Sequence, residues 1–308
     1  MLCLGESMAM FLPEGPPDRA RTWSRAVGGA ESNVACHLAG LGVPVAWVSA
    51  VGDDALGRAV VAEVAAAGVE VSGVVVDPGR QTGLYLKESG TVRYYRTGSA
   101  ASCLGPEVLD RIDFDGVHLV HTSGITPALS ESCLALMRAL FAMPRRSHRI
   151  SFDVNWRPAL WAGRDRAVLA ELANAADIVF VGADEASEVW GTAEPQRIRT
   201  VLTGPEMLVV KQGEHGATLI ERDRAPVFEP ALRMDVVEPI GAGDAFAAGF
   251  LAALLDGAPP RHRLRAGHLR AASALRTRED VGPPLPPEVV AALLDADERT
   301  WAAWRMSR

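Results

Sequence analysis

The 308-residue sequence predicts an α/β fold, a mainly parallel sheet flanked by helices on both faces, and three observations carry that expectation. Short apolar runs of strand length alternate with longer stretches whose apolar residues recur at helical spacing. The alternation continues through most of the chain without a repeat, a low-complexity tract or a long linker, which is the pattern of strands joined by helical crossovers. The composition, 48% hydrophobic and 22% charged, is that of a globular chain able to bury a large core.

Taken in order, strands are predicted at 1–4, 45–50, 117–122, 150–153, 178–181 and 207–211. Helices are predicted over 31–41, 58–67, 130–141 and 166–173, with a longer apolar run at 245–255. Two segments, 7–26 and 81–97, break the alternation. The second reads as a β-hairpin around Glu88-Ser89-Gly90. Such a hairpin is either a flap over the carboxyl edge of the sheet, where doubly wound folds bind ligands, or an edge hairpin that merely widens the sheet.

Charge and targeting signals narrow the partners. A net charge of −7 argues against nucleic acid as the main partner, because phosphate neutralisation needs a basic face. Arginine supplies nearly all the positive charge, lysine occurring only at Lys87 and Lys211, a skew attributed to genome composition rather than mechanism. Cys3, Cys36, Cys103 and Cys133 are scattered without zinc-site spacing, so buried reduced thiols are expected. The seven histidines likewise form no metal-ligand pattern. The start of the chain lacks a secretory pattern, and the run 245–255 is far shorter than the roughly 20 residues a membrane helix needs. The expectation is a soluble cytoplasmic protein with no membrane partner.

The segment that carries most chemistry is Gly241-Ala242-Gly243-Asp244, placed directly before an apolar helical run. Glycines at a helix start bring free N–H groups close to a ligand, and the helix dipole behind them favours an anion. Asp244 is a poor ligand for that anion. It either caps the helix, as many aspartates do, or takes a proton from a hydroxyl while the amides hold a phosphoryl group. Other glycine-rich readings fail: there is no G-x-x-x-x-G-K-[ST], and Phe246 occupies the place of the third glycine of a dinucleotide fingerprint. Earlier in the chain, Gly28-Gly29 precedes a helix and Asn33 follows one turn later, either a plain tight turn or a close approach to a ligand with an amide offered to a sugar hydroxyl.

Together, Gly28-Gly29-Ala30-x-x-Asn33-Val34-Ala35 and Gly241-Ala242-Gly243-Asp244, with Val51-Gly-Asp-Asp-x-x-Gly57 and Lys211-x-Gly213-x-x-Gly216, resemble the ribokinase-like, or PfkB, family of carbohydrate kinases. The resemblance spans nearly the whole chain. It implies a ribokinase-like Rossmann-type sandwich as one domain over 1–308, with a small β lid from about 7–26 and 81–97. It also implies ATP-dependent phosphorylation of a sugar-like alcohol, with Asp244 as base and the amides of Gly241, Ala242 and Gly243 as anion hole. Lys211, Gly213, Gly216, Gly241, Gly243 and His268 would border the nucleotide. Mg2+ would arrive with ATP, helped through water by Glu185. Lid strands that pair between subunits in relatives imply a homo-oligomer.

Within the family, Thr82-Gly-Leu-Tyr85, Tyr94-Tyr95-Arg96 and Asp153-Val-Asn-Trp-Arg157 look most like 2-keto-3-deoxygluconate kinases. Arg96 and Arg157 would hold the substrate carboxylate, as fork-shaped cations suit that group. Tyr85, Tyr94, Gly28, Gly29, Asn33 and Asp244 would complete the sugar site. The alternatives are a neutral-sugar or nucleoside kinase and a sugar-binding relative without catalysis, with either arginine then a surface ion pair and the tyrosines strand formers. The chain departs from the family on its nucleotide side. Gly182 replaces the Asn of N-x-x-E, and Glu238 replaces the Asp that leads the glycine motif in a loop where some relatives bind a monovalent cation. His268 stands where Asn is common, and Glu279 near a usual Gly.

Overall fold

In the computed structural model, residues 1–88, 91–144 and 148–306 are described, Thr91 and Met306 by backbone alone. The strands in chain order are β1 (Leu2–Leu4), β2 (Met8–Pro13), β3 (Trp23–Gly28), β4 (Ala46–Gly52), β5 (Val74–Asp77), β6 (Leu84–Glu88) and β7 (Thr91–Tyr95). They continue with β8 (Leu119–Ser123), β9 (Arg149–Asp153), β10 (Ile178–Gly182), β11 (Met207–Lys211), β12 (Ala217–Glu221) and β13 (Val227–Glu229). Nine of these form one sheet in the order β13-β12-β11-β10-β9-β8-β1-β4-β5. The strands from β11 to β5 in that order run parallel, and β12 and β13 extend one edge antiparallel.

The side-chain period of two divides each central strand between two cores. Leu2, Leu4, Val48, Val120, Val179, Val181, Leu208 and Val210 face one core, which the helices Glu131–Ala142 and Ala167–Ala175 close with Leu136, Leu140, Leu169 and Leu172. Cys3, Trp47, Leu119, Ile178, Phe180 and Val209 face the other, closed by the helices Ala30–Gly40, Ala55–Ala66 and Ala242–Leu255. Because both faces are covered, the central strands are near-continuous apolar runs, and the structure places all six of the anticipated strands within a few residues of where the sequence puts them. The sequence pattern does not anticipate β5, β12 and β13. β5 is only four residues long, and β12 and β13 flank the charged, proline-bearing stretch 222–226, which obscures their alternation. The helix expected at 58–67 starts earlier, at Ala55, because the Asp54 carboxylate accepts from the Gly57 amide at 2.7 Å.

Parallel strands end on a common edge, and here β9, β10 and β11 deliver Asp153, Gly182 and Lys211 to it. A second sheet, in the order β3-β2-β6-β7, lies against that edge, since its residues Met8, Gly28, Tyr85, Val92 and Tyr94 line the same cavity as Asp153 and Lys211. β6 and β7 pair antiparallel, as a hairpin requires, while the turn at Ser89-Gly90 falls outside the described residues.

The helix Ala242–Leu255 is apolar all round and buried from Ala245 through Ala252. It packs between the helices Ala30–Gly40 and Pro260–Ala274, with Phe250 edge-on to Phe180 of β10 at 5.3 Å. Its first turn is therefore carried on a rigid element. The four cysteines are free thiols, and no helix among the described residues is long and apolar enough to cross a membrane.

Candidate active site

A cavity of about 1090 Å³ is lined by residues of both sheets and by the start of the Ala242–Leu255 helix. Gly241 caps this helix with φ +86, a left-handed conformation that favours glycine. A β-carbon there would also sit 2.8 Å from the Asp280 carbonyl oxygen. Ala242 donates weakly to the Pro239 carbonyl at 3.4 Å, but among the described residues the amides of Gly241, Gly243 and Asp244 meet no protein acceptor. The helix mouth thus presents unpaired N–H groups to the cavity, the arrangement that binds anions.

Asp244 lies in the first turn of the helix and lines the cavity. Its Oδ2 accepts from Asn33 Nδ2 at 2.9 Å, so Asn33 holds the carboxylate rather than standing free to meet a ligand. Burial pushes the Asp244 carboxyl up to about 7; Asp153 and Asp280 act in the same direction, against the Asn33 hydrogen bond and the Lys211 ammonium. A carboxyl poised near neutrality takes and releases a proton readily. Asp280, which no sequence motif marks, is 3% exposed and lines the cavity beside it. It accepts from the Tyr85 hydroxyl at 2.9 Å and from Lys87 Nζ at 2.7 Å, and lies 3.4 Å from Asn33 Nδ2.

The lining of the cavity includes Gly28, Gly29, Tyr85, Tyr94, Arg96 and Arg157. A β-carbon on Gly28 would collide with the Tyr85 hydroxyl, so glycine is needed for that close approach. Arg96 is buried and already paired: its Nη1 lies 2.9 Å from Glu6 Oε2, and its guanidinium covers the Tyr94 ring at 4.3 Å. Burial raises the Glu6 carboxyl, with Arg96 and Ser99 opposing. Arg157, by contrast, is exposed to the cavity, its side chain at 45%, with Glu185 no nearer than 3.8 Å. The loop that presents it is anchored by Trp156, whose indole donates to Glu188 at 2.7 Å, and by Asn155 in a left-handed conformation at φ 41.

Also in the lining, Lys211 lies 2.7 Å from Asp153 Oδ2 and 3.3 Å from where a β-carbon of Gly243 would sit, which sets an ammonium beside the glycine amides. Burial alone would lower its pKa, but Asp153 and Glu185 more than offset that and hold it up. Asp153 is 2% exposed and its Oδ1 has no hydrogen-bond partner. Glu185 reaches back to the Gly182 amide at 2.8 Å, so the Gly182 position forms a helix cap without a side chain of its own. Burial is also the main cause that raises Glu185. Farther along are Gly213, Gly216 and His268. His268 Nε2 is 3.1 Å from the Glu229 carbonyl, which can only accept, and burial lowers the ring to about 4, so the imidazole is neutral. Glu238 bonds back to the Ile240 amide at 3.3 Å, and Glu279 is exposed.

The cavity therefore brings the named residues together, except that Asn33 lies one bond behind Asp244. Asp280, Lys87 and Glu6 join the site without a sequence motif that assigns them to it, and Asp153 joins it from a motif in which the sequence assigns a role to Arg157 alone. In a chain with 31 basic residues, its two lysines both pair with acids that line this cavity, Lys87 with Asp280 and Lys211 with Asp153.

A family model described as pfkB family carbohydrate kinase matches residues 2–287. The 2-dehydro-3-deoxygluconokinase of Bacillus subtilis (strain 168) is 35% identical over 306 residues, covering 95% of this chain and 94% of its own. A crystal structure of a PfkB protein from Polaromonas sp. JS666 matches with a TM-score of 0.82 at 33% identity, covering 94% of this chain and 98% of that one. A sugar kinase from Pyrococcus horikoshii, solved in complex with ATP, shares the fold at a TM-score of 0.80 and 24% identity, covering 94% of this chain and 97% of that one.

If Asp244 must be ionised to act, kcat/KM falls tenfold per pH unit below about 7 and reaches a plateau above it. A pH–rate series at fixed ionic strength checks this; a profile flat across neutrality would show that turnover does not depend on ionising a carboxyl near 7.

Proposed function

The chain belongs to the pfkB family of carbohydrate kinases, and we propose that it transfers the γ-phosphoryl group of ATP to the terminal hydroxyl of 2-keto-3-deoxygluconate, also named 2-dehydro-3-deoxygluconate. The observation that carries this reading is Asp244 in one cleft beside unpaired glycine amides, with the exposed Arg157 and the neutral His268 imidazole lining the same cleft. The similarity to the Bacillus subtilis enzyme supports the acid-sugar substrate.

In this reading Arg157 holds the substrate carboxylate with charge-assisted hydrogen bonds. Arg96, locked by Glu6, forms a fixed wall of the sugar site rather than a mobile clamp. Asp244 accepts the hydroxyl proton as the sugar oxygen forms its bond to the γ-phosphorus, and the bond from that phosphorus to the bridging oxygen of ADP breaks. The amides of Gly241 and Gly243, with Lys211 beside them, face the charge on the transferred group. The second sheet serves as a lid that excludes water, the competing acceptor.

Magnesium fits the phosphate end. The unpartnered Oδ1 of Asp153 and the carboxylate of Glu185 are hard oxygen donors, the type this ion prefers. Among the described residues no group of three ligating side chains would chelate a metal, so these two carboxylates would hold it through its water shell and the nucleotide phosphates. When bound, the ion supplies charge neutralisation on the phosphates. The end lined by Gly213, Gly216 and His268 receives the nucleotide base and ribose.

A coupled ADP-release screen against acid sugars, neutral ketoses, ribose and nucleosides tests the reading. The expected preference is for 2-keto-3-deoxygluconate; a neutral ketose or nucleoside as best substrate would overturn it. Arg157→Ala is expected to raise KM for the acid sugar by about 10- to 100-fold and for a neutral analogue by less than about threefold. Equal increases on both would remove Arg157 from carboxylate recognition.

A further inference from the structure

β6 sends Tyr85 and Lys87 to the same side, two residues apart, and both reach Asp280 from the second sheet. Lys87 Nζ is 2.7 Å from Asp280 Oδ1 and also donates to the Arg278 carbonyl at 3.1 Å; the side chains of the ion pair are 6% and 4% exposed. On its other side, Asp280 Oδ2 lies 3.4 Å from Asn33 Nδ2, the same nitrogen that donates to Asp244 at 2.9 Å. One amide nitrogen thus bridges two carboxylates. Asp280 is also wedged between the two glycine segments: its Oδ2 lies 2.6 Å from where a β-carbon of Gly28 would sit, and its carbonyl 2.8 Å from that of Gly241.

We propose that Lys87 is a positioning residue for Asp244, acting through Asp280 and Asn33: its ammonium, delivered by the β6–β7 hairpin, neutralises Asp280 and so lets Asp244 ionise. The physical basis is like-charge repulsion. Two carboxylates sharing one donor in a poorly solvated site disfavour double ionisation unless a cation compensates one of them. With the hairpin in place, Asp280 has its cation and Asp244 is free to take a substrate proton. A lysine suits the place because its compact ammonium serves the carboxylate and the Arg278 carbonyl at once. Asp244 is also faced by Asp153, Lys211 and Tyr85, which the test leaves in place.

The proposal rests on Asp244 as the base, but its test does not need turnover. In the full chain labelled with carboxyl-13C aspartate, the Asp244 signal is assigned by its loss in Asp244→Asn and titrated in the wild type, Lys87→Met, Asp280→Asn and the double variant. Lys87→Met is expected to raise the Asp244 midpoint by about one pH unit, Asp280→Asn to lower it, and the double variant to return it close to wild type. Should Lys87→Met alone fail to fold, the rise from Asp280→Asn to the double variant reads the same charge. In kinetics, Lys87→Met should lose about fivefold in kcat/KM at pH 7, approach a tenfold loss at lower pH, and recover at alkaline pH. A midpoint unmoved by removing Lys87 in either background would reduce the ion pair to a structural contact and overturn the proposal. A shifted midpoint in a protein that phosphorylates no sugar would instead leave the relay standing and defeat the kinase assignment.

Discussion

The hydrogen bond from Asn33 to Asp244, made across the interface of two buried helices, is the contact on which the cleft depends. It spans 211 positions of sequence and joins the two glycine segments into one wall. The Ala242–Leu255 helix can present a carboxylate at its mouth because everything behind that mouth is packed: Phe250 against Phe180, and Phe246 and Gly249 against the helix Pro260–Ala274. A rigid support fixes the geometry of the amides and the base together, which is what preorganised catalysis requires.

Around this contact the cleft distributes charge in buried pairs. Asp153 has Lys211, Asp280 has Lys87 and Glu6 has Arg96, each within 2.9 Å. Buried ion pairs of this kind add little net stability, because desolvation offsets most of the attraction, but they fix side chains in place. Asp244 receives an amide rather than a cation as its direct partner, and burial is accordingly the largest influence on its titration. The contrast separates structural carboxylates from a carboxylate able to exchange a proton. It also distinguishes the two arginines of the sugar end, one locked into a pair and one open to a ligand.

The central strands are legible in the sequence because burial on two faces leaves apolar runs, whereas β12 and β13 border a charged turn and are not buried throughout. Gly241 through Asp244 stand out because glycines and a lone acid directly precede a long apolar helix. Asp280 does not, since it sits in the segment Arg278-Glu-Asp-Val-Gly282, whose local pattern indicates nothing beyond a solvated turn. Its surroundings come from β6 and from Asn33, far away in the chain. For the same reason, sequence spacing offers no means of knowing that Arg96 is held by Glu6, 90 positions earlier. The rarity of lysine is visible in the sequence, yet composition alone gives it no meaning. In a chain that otherwise uses arginine for positive charge, Lys211 fits a compact ammonium between Asp153 and Gly243, and Lys87 fits one between Asp280 and the Arg278 carbonyl.

The central claim is that Asp244 removes a proton from the acceptor hydroxyl while contributing little to holding either substrate. Asp244→Asn keeps the shape and the contact with Asn33 but removes the base, so single-turnover phosphoryl transfer and calorimetric binding, measured on the same variant, test the claim most directly. The account predicts ATP and acid-sugar affinities within about threefold of wild type, with transfer slowed by at least about 10²–10⁴-fold. Near-normal transfer, or a loss confined to binding, would contradict it.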